Sequence, residues 1–147
     1  MVNLDVRVAP HFRLREFACK CGGRYKNCAI AYVHAGLAAS LESLRNRYYA
    51  TTGLTIVSGY RCRDYNRSKA VNGASDSQHI YGCGADIPAR VTFTVVKGMG
   101  IFSGIGIQQS SKLVTHVDIR HLGPKNSLGT DGKTKASPTN PAVWFYG

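Results

Sequence analysis

Val114-Thr115-His116-Val117-Asp118-Ile119 is the stretch that decides the architecture. It is short and rich in β-branched residues, so it reads as a strand, in which successive side chains point to opposite faces. Val117 and Ile119 then share one face and can join a core. His116 and Asp118 share the other, placing an imidazole and a carboxylate side by side. The polar face then presents the side-by-side groups that a metal ligand with a neighbouring base or supporting partner needs.

The flanking sequence supplies the rest of such a domain. From about Ala29 to Tyr49 the apolar residues Val33, Leu37, Leu41, Leu44 and Tyr48 step by three or four, which predicts one helix with a single buried stripe, stopped by Gly53. Leu54-Thr55-Ile56-Val57 predicts a strand ending at Ser58-Gly59, and Asp64 is placed to cap a short second helix. Two further strands are expected over Arg90–Val96 and Ile101–Ile107. Residues 121–142 are rich in Gly, Pro, Ser, Thr, Asn and Lys and read as a long loop, after which Val143-Trp144-Phe145-Tyr146 docks on the body. The order of elements predicts a single α+β domain over residues 1–147, with a mainly antiparallel sheet and flanking helices.

Composition narrows the partners. Nineteen Lys and Arg against eight Asp and Glu give a net charge of +11, which draws the chain toward polyanions. The charge does not name the polyanion: nucleic acid, anionic lipid and the anionic cell-wall surface of a bacterium are all compatible with it, but the basic residues form no long run and no nucleic-acid motif is present, so nucleic acid is not expected. No stretch is apolar enough for a signal peptide or a membrane helix, so the expectation is a monomer synthesised in the cytoplasm. Five cysteines, Cys19, Cys21, Cys28, Cys62 and Cys83, cannot all pair within one chain. Reduced thiols are the simplest reading. The alternative is that Cys19, Cys21 and Cys28, with Cys62 or a histidine, hold a structural zinc, although C-x-C is tighter than the usual spacing.

The residues able to do chemistry lie in two places. His79 and Asp86 stand seven apart with Gly82 and Gly84 between them, and the glycines let the backbone turn both side chains toward one point. With His116 they make two nitrogen donors and one carboxylate oxygen, a set that suits zinc with its fourth position open.

Ser58-Gly59-Tyr60-Arg61-Cys62, then Tyr65-Asn66, Gly73-Ala74, Ser77-Gln78-His79, Gly82, Ala85-Asp86-Ile87 and His116-Val117-Asp118 together resemble the zinc D-alanyl-D-alanine carboxypeptidase and murein endopeptidase family. That family includes phage endolysins and shares its metal-site architecture with the Hedgehog signalling domain. The resemblance spans about residues 12–120, and the S-x-H-x-x-G-x-A-x-D pattern recurs from Ser77 to Asp86 with Gly84 in place of the alanine. It implies Zn2+ held by His79, Asp86 and His116, with Arg61 binding substrate or steadying the oxyanion and Ser77 and Gln78 touching substrate or supporting the ligands. Relatives place an acid or base two or three residues before the last ligand, where this chain has Val114 and Leu113. Asp118 is therefore the expected catalytic base, with a role orienting His116, or an exchange of roles with it, left open; His121 is a weaker candidate. The activity implied is hydrolysis of peptidoglycan stem peptides by a phage or prophage lysin that reaches the wall after a holin or equivalent opens the membrane. A zinc-stabilised wall-binding or interaction protein without activity is the alternative.

Overall fold

A computed structural model describes residues 2–147. Two short strands, β1 (Arg7–Ala9) and β2 (Phe12–Arg13), pair antiparallel at the edge of the fold. The main helix, α1 (Ala35–Tyr48), follows, then α2 (Arg63–Arg67), β3 (Gly84–Asp86), α3 (Phe93–Gly98), β4 (Gly104–Gln108), β5 (Val114–Asp118) and β6 (Ala142–Tyr146). The last four strands form one sheet in the order β3-β5-β4-β6, antiparallel except for the β4–β6 pair. The expected α+β architecture with a mainly antiparallel sheet is what the chain adopts.

The alternation that opened the reading is realised in β5. Val117 and Ile119 are fully buried in the core with Leu37, Leu41 and Leu44 of α1, beside Phe12, Phe17, Phe102 and Ile105. Each such aliphatic or aromatic side chain contributes roughly 1.5–3 kcal/mol through its removal from water. β5 sits between two partners, so both edges of its backbone are hydrogen-bonded: Asp86 of β3 and Gly106 of β4 flank His116.

Four readings differ from expectation for local reasons, the first being the cap of α2: the Cys62 sulfur accepts from the Tyr65 N–H, and Asp64 lies inside the first turn. Helix α1 begins at Ala35 rather than Ala29, because His34 is its N-cap and accepts from the Gly36 N–H, while Ile30 takes a positive φ of 70° and Ala31 bridges to Ala18. Residues 54–57 form no strand: Val57 lies in a bend and donates to the Asp86 carbonyl, and pairing is limited to the Ser58–Asp86 bridge. The expected strand over 90–96 is instead α3, whose Thr92 side chain accepts from the Val95 N–H and opens a helical turn that β-branched composition alone disfavours. The long segment 121–142 is stitched by its own hydrogen bonds. Asp131 accepts from the Lys133 and Thr134 backbones, and bridges join Leu128 to Lys135 and Ser137 to Asn140. Among the described residues no helix is long and apolar enough to cross a membrane.

Candidate metal centre and cavity

Three local structures aim the site. Ser77 caps a short 3-10 turn, Gln78–Tyr81, by accepting from the His79 N–H at 3.3 Å. Gly82, at φ 65°, then reverses the chain into β3, a conformation that costs glycine little and other residues more. Asp86 at the end of β3 pairs across the sheet with His116 on β5, while its backbone bridges to Ser58 on the other side. The result brings His79, Asp86 and His116 together, with one donor atom of each within 4.8 Å of the others.

The hydrogen bonds define which nitrogen faces which partner. His79 Nδ1 lies 2.7 Å from the Gly59 carbonyl, which can only accept, so that nitrogen carries the proton. Burial holds the His79 ring below the ordinary histidine range and therefore neutral, leaving Nε2 as a bare lone pair 3.1 Å from Asp86 Oδ1. His116 Nε2 lies 2.8 Å from Asp118 Oδ2, and its Nδ1 faces the same Asp86 oxygen at 3.1 Å. Burial disfavours charge on His116, but its bonds to Asp118 and Asp86 override that and push its pKa up to about 9. Burial likewise opposes ionisation of Asp86, yet the two rings hold its carboxyl far below the usual range.

Two ring nitrogens and a carboxylate oxygen thus converge with their outward positions already engaged. Such a group needs a cation at its centre, a proton or a metal. Tetrahedral zinc with bonds near 2.0–2.1 Å sets its donors about 3.3 Å apart, close to the separations found, so the residues fit zinc.

Asp118, expected as base, stands elsewhere. It is fully buried behind His116, and its two oxygens accept from His116 Nε2 and from Arg120 Nε and Nη2 at 2.6 to 2.9 Å. In the triad Arg120–Asp118–His116, Asp118 has the form of an orienting carboxylate, one of the roles the sequence left open. His121 bonds to Ser103 Oγ at 2.6 Å, outside the cavity lining. Arg61 lies at the site. Its Nη2 donates to Asp86 Oδ2 at 3.0 Å and its Nε to Ser58 Oγ at 3.2 Å. Gln78 donates to the Lys125 carbonyl at 2.8 Å while its Oε1 is buried without a partner.

A cavity of about 970 Å³ opens over these groups and is lined by Arg61, Ser77, Gln78, His79, Asp86 and His116 among others. Trp144 and Tyr146 on β6 also line it, and sequence reading had assigned that segment only to docking. The Trp144 ring packs 5.1 Å from His116 and beneath the Arg120 guanidinium. Residues two apart on a strand share a face, so spacing keeps Trp144 and Tyr146 together, while the parallel pairing of β6 with β4 is what turns that face to the site.

The sequence signature of the family described as Peptidase M15 matches residues 10–118. The chain belongs to that family. Peptidase M15 members are zinc-dependent, and the matched span contains His79, Asp86 and His116 but not Trp144 or Tyr146. No curated protein matches the sequence.

Proposed function

We propose that this M15 chain is a zinc metallopeptidase that hydrolyses a peptide bond in the stem peptide or cross-link of bacterial peptidoglycan, as a D-Ala-D-Ala carboxypeptidase or murein endopeptidase, and that it acts as a phage or prophage lysin. One observation carries the reading: His79 Nε2, His116 Nδ1 and Asp86 Oδ1 face one another on the floor of a peptide-sized cavity, each held by a partner that leaves its inward atom free to ligate. These three residues would hold zinc. When bound, zinc supplies Lewis acidity to a scissile carbonyl and makes water acidic enough to be deprotonated near neutral pH.

The chain's own residues do the positioning. The Gly59 carbonyl and the Asp118 carboxylate each keep a proton on the outer nitrogen of a histidine, fixing its tautomer and ring plane. Arg61 occupies Asp86 Oδ2, which leaves Oδ1 directed inward, and its guanidinium reaches the cavity, where a fixed fork of donors suits a carbonyl oxygen gaining charge or a terminal carboxylate. Trp144, Tyr146, Val57 and Ile87 give the peptide an apolar wall. Ser77 and Gln78 line the same space, where they can also meet substrate. The net charge of +11 supplies affinity for an anionic wall after release through an opened membrane.

A second reading, a zinc-stabilised wall-binding protein that does not cleave, is favoured by one feature. Asp118 is committed to His116 and Arg120, and the other carboxylate lining the cavity besides Asp86 is Asp76, which already accepts from the Tyr81 hydroxyl at 3.1 Å. Mass spectrometry of soluble fragments from purified peptidoglycan separates the two readings, using added zinc, chelator and His79→Ala. Stem-peptide fragments that need both zinc and His79 establish cleavage and identify the bond; zinc bound at this site without fragments establishes the binding protein.

A further inference from the structure

A second set of metal-ligating side chains lies apart from His79, Asp86 and His116. Cys19, Cys21 and Cys28 belong to the irregular segment before α1, and Cys62 is the N-cap of α2. The four sulfurs all lie within 4.8 Å of one another, and Cys21 Sγ and Cys62 Sγ are 4.0 Å apart. We propose that Cys19, Cys21, Cys28 and Cys62 form a structural zinc site, which the chain carries in addition to the His79, Asp86 and His116 centre and independently of any catalysis there.

The spacing favours a metal over disulfides. Zinc with bonds of about 2.3 Å to four sulfurs sets them about 3.8 Å apart in a tetrahedron. Disulfides would draw the sulfurs into two pairs at about 2.05 Å, whereas all four cysteines are free and mutually close. The surroundings also suit thiolates. Backbone N–H groups point at the sulfurs: Cys62 N–H at Cys19 Sγ (3.4 Å), Ile30 N–H at Cys28 Sγ (3.3 Å) and Tyr65 N–H at Cys62 Sγ (3.4 Å). Cys19, Cys21 and Cys62 are buried, and Tyr25, Tyr60 and Tyr65 pack around the group to keep it dry. After Cys21 the chain turns through Gly22 and Gly23, both at positive φ, and returns to Cys28. Binding releases four protons to solvent and forms four Zn–S bonds, leaving a local charge of minus two. Lys20, Arg24 and Lys26 are interleaved with the cysteines and offset it.

The site explains how an irregular segment is held. Residues 18–31 are joined to each other by the Ala18–Ala31 bridge, and the Ala29 N–H donates to the Tyr60 hydroxyl at 3.2 Å. A four-cysteine zinc ties this segment to Cys62, the residue after Arg61, and so fixes the backbone that carries Arg61 to Asp86.

The test counts zinc by elemental analysis and native mass spectrometry, then records the absorption of the cobalt-exchanged protein. The double variant His79→Ala/His116→Ala removes the other centre. It is expected to retain one metal per chain and to show thiolate-to-cobalt charge transfer, and Cys83→Ser on that background should leave both unchanged because Cys83 lies in the main core. Cys28→His, which preserves a ligand, should keep the metal with an altered spectrum, while Cys21→Ser/Cys62→Ser should lose it. A double variant that purifies without metal, with its cysteines rapidly alkylated or with a mass lower by four hydrogens from two disulfides, overturns the proposal. Because the double variant lacks two histidines of the other centre, failure of the peptidase reading leaves this count unaffected.

Discussion

At the scale of single residues, the decisive distinction is between a group that touches substrate and one that holds a ligand in place. Asp118 has no exposed surface and bonds to His116 Nε2 and Arg120, so the geometry assigns it to holding. Asp118→Asn removes the charge facing Arg120 and weakens the fixing of the His116 tautomer. We expect zinc affinity to fall about 10–100-fold, with a stability loss of about 1–3 kcal/mol because the partly buried Arg120 guanidinium, which keeps Ser127 and the Trp144 face, loses its charged partner. Competition with a chelating dye and thermal melts measure the two effects; unchanged zinc affinity with lost turnover would instead restore Asp118 as the base. The converse variant is Asp76→Asn. If the chain cleaves peptidoglycan with Asp76 as base, giving up the bond it accepts from the Tyr81 hydroxyl, its loss should lower kcat by about 100-fold or more without changing the zinc count; unchanged kcat leaves Asp76 only holding Tyr81. Sequence pattern brought His79, Asp86 and His116 to attention because glycine spacing and strand alternation are local. It left the roles of Asp118 open because a carboxylate beside a histidine on a strand reads the same whether its far side meets solvent or Arg120.

At the scale of elements, β4 makes room for the site. Its sequence, Gly104-Ile105-Gly106-Ile107-Gln108, places isoleucines in the core and glycines on the opposite face. A Cβ on Gly104 would lie 2.2 Å from the Asp118 carboxylate, and one on Gly106 would lie 2.7 Å from the Tyr146 ring and 3.0 Å from both Trp144 and His116 Cβ. Gly106→Ala should therefore displace β6 and the His116 ring together, seen as a change in Trp144 fluorescence alongside weaker zinc binding and a stability loss of about 1–3 kcal/mol. Gly84 follows the same logic: glycine where the family pattern has alanine lets β3 approach, since a Cβ there would be 2.9 Å from Gln78 Cβ and 3.0 Å from His116 Cε1. At the opposite edge, Glu42 on α1 accepts from the His11 N–H at 2.9 Å and meets its ring at 2.6 Å, tying the β1–β2 pair to the helix. Burial raises the Glu42 pKa, but the His11 bonds outweigh it and hold the carboxyl below its ordinary range. Its contribution is thus present above the unfolded-state value near 4.3 and lost as pH falls through the folded value. Glu42→Gln should cost about 1–2 kcal/mol at neutral pH, and the difference from wild type should shrink below about pH 4 in denaturant titrations. Periodicity found α1 and β5, whose patterns are strong, and misread 90–96, where the Thr92 cap outweighed β-branched composition.

At the scale of the whole molecule, charge and fold answer different questions. Although 54–57 and 90–96 do not form the strands their composition suggests and β3 has no pattern long enough to read as one, the α+β class, helix α1 and strand β5 were legible because each apolar face is written into a contiguous segment. The contribution of β6 was not, because a parallel partner brought back across more than twenty residues of loop leaves no local trace of which strand it joins. The excess of positive charge, +11, has no part in that fold logic, and its effect is on what the surface approaches. If it serves adhesion to an anionic wall, binding to purified sacculi should weaken steeply as salt rises from about 50 to 500 mM, since the screening length falls from about 14 to about 4 Å. Zinc content and thermal stability should change little over the same range, because the buried pairs around His79, Asp86 and His116 are shielded from salt. Sedimentation of the protein with sacculi, from which anionic polymers have or have not been stripped, measures this; binding insensitive to both salt and stripping would move the recognition from surface charge into the cavity, to Arg61 and the aromatic wall of Trp144 and Tyr146.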